Sequence, residues 1–138
     1  MKTKVKVGIF SSFDTFPYQT KNILFGQMTP DSCSAAVCRM LLADEGIDLP
    51  EVWLRNALET DEQGTLLSKI APTLKSLGLS RNYQLLKLST IEELRENVKQ
   101  HSAIVAVKVK NDGDLHTILI DEISNDFIFV RDPLPIGA

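Results

Sequence analysis

The chain has 138 residues, of which 43% are hydrophobic and 24% charged, the makeup of one soluble globular domain able to bury a single core. A formal net charge of -3 and a pI near 5.3, with the lysines dispersed, give no electrostatic footprint for nucleic acid or anionic lipid. No apolar run approaches the roughly 20 residues of a membrane helix, and the opening MKTKVKV lacks the apolar stretch and small-residue cleavage site of a signal peptide.

In chain order, KVKVGIF (Lys4 to Phe10) is β-branched and alternating and predicts a strand, followed by a loop rich in Ser, Thr, Phe and Pro to about Phe25. From Ser32 or Cys33 to about Glu45, the residues Cys33, Ala36, Val37, Met40 and Leu41 recur at helical spacing. Asp31 and Ser32 are placed to cap that helix and Gly46 to end it. A second helix is predicted from Pro50 with Val52, Leu54, Ala57 and Leu58, and Trp53 at the core or its edge. A third runs from about Thr65 to Leu77, with Leu66, Leu67, Ile70, Leu74 and Leu77 on one side, a kink at Pro72 and a stop at Gly78. The cluster of Glu59, Asp61 and Glu62 between them reads as a solvated loop.

A short strand is expected at Tyr83 to Leu88. A helix follows in which Ser89 or Thr90 and Glu92 or Glu93 form a capping box ahead of Leu94 and Val98. Then AIVAVKV (Ala103 to Val109), a turn at NDGD, LHTILIDEI (Leu115 to Ile123) and FIFVRDP (Phe127 to Pro133) predict an antiparallel meander. Helices first and sheet second give an α+β fold. The whole chain, 1–138, is expected to form a single domain: a strand and loop prelude over 1–25, a helical half over 27–78, and a mostly antiparallel sheet over 82–133.

Cysteine chemistry is the point of interest. The two cysteines and the two histidines, His101 and His116, have no zinc-site spacing, so neither a metal nor any other cofactor is expected. Cys33 and Cys38 lie five residues apart on one helix, which turns them away from each other and makes a disulfide between them geometrically poor. Cys38 inside the helix reads as core. Cys33 at the helix start is where free N–H groups and the positive end of the dipole lower a thiol pKa.

A cysteine hydrolase also needs a histidine, a group that orients it, and donors for the oxyanion. His116 lies near the start of a strand, on the face shared by Ile118 and Ile120. Asp132 ends the next strand, where a returning hairpin can bring its carboxylate beside the imidazole. Gln27, six residues before Cys33, carries an amide NH2 able to donate alongside the Cys33 backbone N–H. Each has a plainer reading: a half-buried strand histidine, a turn-forming aspartate, a loop glutamine. His101 reads as exposed and incidental, and Phe10, Phe13, Phe16 and Tyr18 as packing beneath the early loop.

Taken in order, these pieces resemble the C39 peptidases. These are papain-like cysteine proteases best known as the amino-terminal domains of bacteriocin-exporting ABC transporters, which cut leader peptides after a double glycine. The resemblance rests on Gln27 six residues ahead of Cys33, the helix CSAAVCRMLLADEGIDLP, the segment TDEQGTLLSKIAPTLKSLGL, the helix STIEELRE, the histidine of HTILI and the RDP of Arg131 to Pro133. It implies a papain-like fold with Cys33 as nucleophile, His116 as general base, Asp132 as orienter of the histidine and Gln27 as oxyanion-hole donor. The family pattern usually reads Asp-Cys-Gly at the nucleophile, whereas here Ser32, Cys33 and Ser34 stand together, with Asp31 one place early; that departure bears on substrate range.

The resemblance implies a peptide or protein substrate containing Gly-Gly. The Ser-Cys-Ser surround, in a sequence with no transporter segment or nucleotide-binding motif, is also similar to papain-like toxin domains of secreted bacterial effectors. Such a domain would act on a protein in the cytoplasm of a target cell and be neutralised by a cognate immunity protein. The alternatives are a bacteriocin leader peptidase working in its own cytoplasm, a papain-fold deamidase or acyltransferase, and a non-catalytic peptide-binding module. No nucleic acid or membrane partner is expected.

Overall fold

A computed structural model describes residues 6–9, 23–77, 85–86, 88–108 and 115–134, with the backbone alone at 6–9, 108 and 115. Strand β1 (Lys6–Ile9) comes first, then helices α1 (Cys33–Asp44) and α2 (Glu51–Ala57), a 3-10 turn at Leu67–Lys69, and helices α3 (Ile70–Ser76) and α4 (Ile91–Val98). Strands β2 (Ala103–Lys108), β3 (Leu115–Ile123) and β4 (Phe127–Arg131) follow.

The predicted meander forms: β2 pairs antiparallel with β3, and β3 with β4. β1 joins the same sheet at the far edge, parallel to β4, so the order is β1-β4-β3-β2. Alternation predicted β1 as a strand but carries no information about a partner so distant in the chain.

Helix α1 is the centre of the core. Ser34, Ala35, Ala36, Val37, Cys38, Met40, Leu41 and Leu42 are all buried, which explains a segment apolar on more than one side. It packs with Leu54, Leu58, Ile70 and Leu74 from the other helices and with Leu119 of β3. On the opposite face of the sheet, Ile118, Ile120, Ile123 and Val130 pack with Val98 of α4. This two-sided use of β3 follows from its period of two. Gly46, at φ +80, ends α1 as expected.

Several local expectations need correction. Ser32 makes no side-chain cap on α1; its Oγ folds back to donate to the Thr29 carbonyl and accept from the Thr29 N–H. Pro72 causes no kink, because it lies in the first turn of α3, where an N–H has no intrahelical partner to lose. Leu66 and Leu67, outside that helix, are exposed, as are Val52 and Trp53 on the outer side of α2. Leu85, Leu86 and Leu88 belong to no strand; the remainder of the strand expected at Tyr83 to Leu88 lies outside the described residues. So do Gly78, the NDGD turn and the early aromatic loop. The capping box of α4 is present, with Thr90 Oγ1 accepting from Glu93 N at 3.2 Å. Glu59, Asp61 and Glu62 are exposed.

Candidate active site

Three elements end at one place. Cys33 is the first residue of α1, His116 the second residue of β3, and Asp132 the first residue after β4. His116 Nε2 lies 2.7 Å from Asp132 Oδ1, and the imidazole also hydrogen-bonds the Cys33 thiol. The Asp132 carboxylate accepts the Leu134 N–H at 3.0 Å as well, the turn-forming bond expected of an Asp before Pro.

Burial alone raises the Cys33 thiol. Hydrogen bonds from the His116 ring, the Thr117 backbone N–H and the Thr117 hydroxyl outweigh it, aided by the His116 charge, and bring the thiol from 9.0 to about 7. In the other direction, the bond to Asp132, then the bond to Cys33, raise His116 from 6.5 to about 9 against the opposing effect of burial. A thiol at about 7 beside an imidazole at about 9 is a thiolate–imidazolium pair near neutrality. Cys38 is the opposite case: enclosed in the core with no compensating charge, it is pushed up to about 12 and stays an inert thiol.

Gln27 is 1% exposed and stands in a loop fixed from two sides. Its backbone N–H donates to the Pro133 carbonyl at 2.8 Å, next to Asp132. The following N–H, of Met28, donates to both carboxylate oxygens of buried Glu51, at 3.1 and 3.2 Å. The side chain differs from the free donor expected. Nε2 donates to the Thr29 carbonyl at 2.8 Å and to the Pro30 carbonyl at 3.2 Å, which engages both hydrogens, while buried Oε1 has no partner among the described residues. The reversed amide would set Oε1 against two carbonyl oxygens, so this orientation is the one the loop selects.

Sequence reasoning missed Thr117, Ser34 as its partner, and Glu51. Thr117 sits beside His116, but nothing in a strand threonine signals a bond to a thiol; Glu51 reads as an ordinary acidic residue in a helix's first turn. His101 is exposed. Among the described residues no cluster of His, Cys, Asp or Glu is suited to a metal, and no helix is long and apolar enough to cross a membrane. An apolar groove of about 820 Å³ between α3, α4 and β2, lined by Leu41, Ile70, Leu74, Leu94 and Ile104 among others, includes none of Gln27, Cys33, His116 or Asp132.

No curated protein matches the chain. Among solved structures it is similar to the peptidase domain of Streptococcus ComA, a bi-functional ABC transporter involved in a quorum-sensing pathway. The two are 23% identical with a TM-score of 0.66, over 80% of this chain and 77% of that one. At that identity the likeness establishes the papain-like α+β fold. The model of the Peptidase C39 family matches residues 21–138, a span that holds Gln27, Cys33, His116 and Asp132, and the chain belongs to that family.

Proposed function

We propose that this domain is a cysteine peptidase in which Cys33 attacks the scissile carbonyl and His116, oriented by Asp132, manages the protons. The observation that carries the reading is the continuous hydrogen-bonded chain from Cys33 through His116 to Asp132. The thiolate adds to the carbonyl carbon; the His116 imidazolium then gives its proton to the departing amine, leaving a thioester and a neutral imidazole. That imidazole takes a proton from water as the water attacks the thioester, and collapse returns the thiolate–imidazolium pair. Asp132 holds the ring and stabilises its charged form.

The developing oxyanion sits at the amino end of α1, where the first N–H groups have no intrahelical partner. Gln27 joins them by exchanging its longer bond, to Pro30, for one to the oxyanion. The substrate is a peptide cut after Gly-Gly, read by a cleft that excludes side chains before the scissile bond. Family membership supports this reading. A matched pair of peptides, one with Gly-Gly and one with Ala-Ala before the bond, tests it by mass spectrometry. Cleavage of the first alone, lost in Cys33→Ala, is expected; equal cleavage of both would remove the glycine rule. A one-dalton gain or a larger adduct without a cut would make the enzyme a deamidase or an acyltransferase.

The Ser-Cys-Ser surround of the nucleophile supports a toxin domain acting on a protein of a target cell, held in check by an immunity protein, over a leader peptidase. Expression in a bacterial cytoplasm is expected to arrest growth, and Cys33→Ala to abolish the arrest. Unimpaired growth together with cleavage of a Gly-Gly precursor would favour leader processing.

A further inference from the structure

Ser34 Oγ and Thr117 Oγ1 lie 2.9 Å apart, joining the first turn of α1 to β3 across 83 positions of sequence. Both residues are buried, at 3% and 5% exposure, so neither hydroxyl has water as a ready alternative. Thr117 also hydrogen-bonds the Cys33 sulfur, through its hydroxyl and through its backbone N–H.

Each hydroxyl has one hydrogen, and a thiolate only accepts. When Cys33 is ionised, the Thr117 O–H must therefore point at the sulfur. Its oxygen is then left as an acceptor, and the Ser34 O–H is the donor that fills it. The protons have one consistent arrangement: Ser34 to Thr117, Thr117 to sulfur. Hydrogen bonds in such a series polarise one another, so the terminal donor is stronger than an isolated hydroxyl.

We infer that Ser34 and Thr117 form a hydroxyl relay that stabilises the Cys33 thiolate, with Thr117 touching the sulfur and Ser34 acting through Thr117 as a positioning residue. This rests on the proposal that Cys33 is the nucleophile. The charged group acting directly on the sulfur among the described residues is His116 from β3, with Asp132 behind it; Asp31, in the loop before α1, is engaged by the Thr29 hydroxyl at 2.7 Å. The relay adds neutral donors on the side of the thiolate that the imidazolium does not occupy. It also gives a chemical use to the serine that stands where the family pattern has glycine.

Iodoacetamide alkylation of Cys33, followed across pH in the whole chain, tests the relay. Thr117→Val is expected to raise the inflection by about one pH unit, slowing alkylation roughly tenfold at about pH 6. Ser34→Ala should slow it about twofold. The double variant should be no slower than Thr117→Val, because Ser34 has no route to the sulfur except through Thr117. Thr117→Ser, which keeps the hydroxyl and is gentler on the fold, should retain the parent inflection. A bond that merely pins α1 to β3 would lower the melting temperature in Ser34→Ala and leave the inflection where it was, and that result would overturn the relay. So would additive effects in the double variant. A parent whose inflection is that of an ordinary thiol and is unmoved by His116→Ala would overturn the nucleophile reading itself, and the relay with it.

Discussion

Cys33 and Cys38 differ in surroundings rather than chemistry. One thiol at a helix start, with an imidazole and three hydrogen bonds, falls to about 7; the other, enclosed in the core of the same helix, rises to about 12. The competent form of the site needs the thiolate and the imidazolium together. It gains population as pH rises through about 7 and loses it as pH rises through about 9, so kcat/KM on a Gly-Gly peptide should have a plateau between those values. Removing the imidazole in His116→Ala should lower kcat/KM by about 10² to 10⁴. Asp132→Ala leaves the ring unoriented and removes the main cause of its raised value; the alkaline limb of the profile should then move toward lower pH. An unchanged alkaline limb would detach Asp132 from the histidine. Oxidation of Cys33 consumes the thiolate, so activity should depend on a reductant.

At the scale of elements, the site depends on what holds the Gln27 loop against the start of α1. Glu51, in the first turn of α2, grips the Met28 N–H with both carboxylate oxygens, and the Pro133 carbonyl takes the Gln27 N–H. Glu51→Ala leaves that buried N–H unmatched, at a cost of about 1–3 kcal/mol in stability. It also frees the loop that carries Gln27, so kcat should fall by more than the loss of folded protein explains; measuring kcat beside the urea midpoint separates the two. Direct removal of the amide in Gln27→Ala should lower kcat by about 10² to 10³. Helix α1 itself was legible from the spacing of its apolar residues and from Gly46. The cap was not, because Ser32 bonds backward to Thr29 instead of forward into the helix.

Across the whole molecule, Arg131 ties the two halves together. Its guanidinium, 1% exposed, bonds Asp44 at the end of α1, Asp121 in β3 and the carbonyl of Ile23. Arg131→Met would leave two carboxylates without their cation and should cost about 3–5 kcal/mol, read as a lower urea midpoint. The order of elements and the α+β class were legible because each helix and strand carries its own period. Cys33, His116 and Asp132 were legible as candidates through their residue types and the family resemblance. What was not legible is long-range pairing: β1 beside β4, Arg131 on Asp44 across 87 positions, and Ser34 on Thr117 across 83. Local spacing does not encode such partners, since each is an ordinary polar residue until the fold delivers the other.

The most direct test of a peptidase site at Cys33 is the pH profile of its alkylation by iodoacetamide, in the parent chain and in His116→Ala. The parent should show an inflection near 7, and the variant should move it up toward 9.0, because burial still opposes ionisation once the imidazolium is gone. A single inflection near 9.0 in both proteins would contradict the thiolate–imidazolium pair and leave the domain as a fold that binds peptides without cutting them.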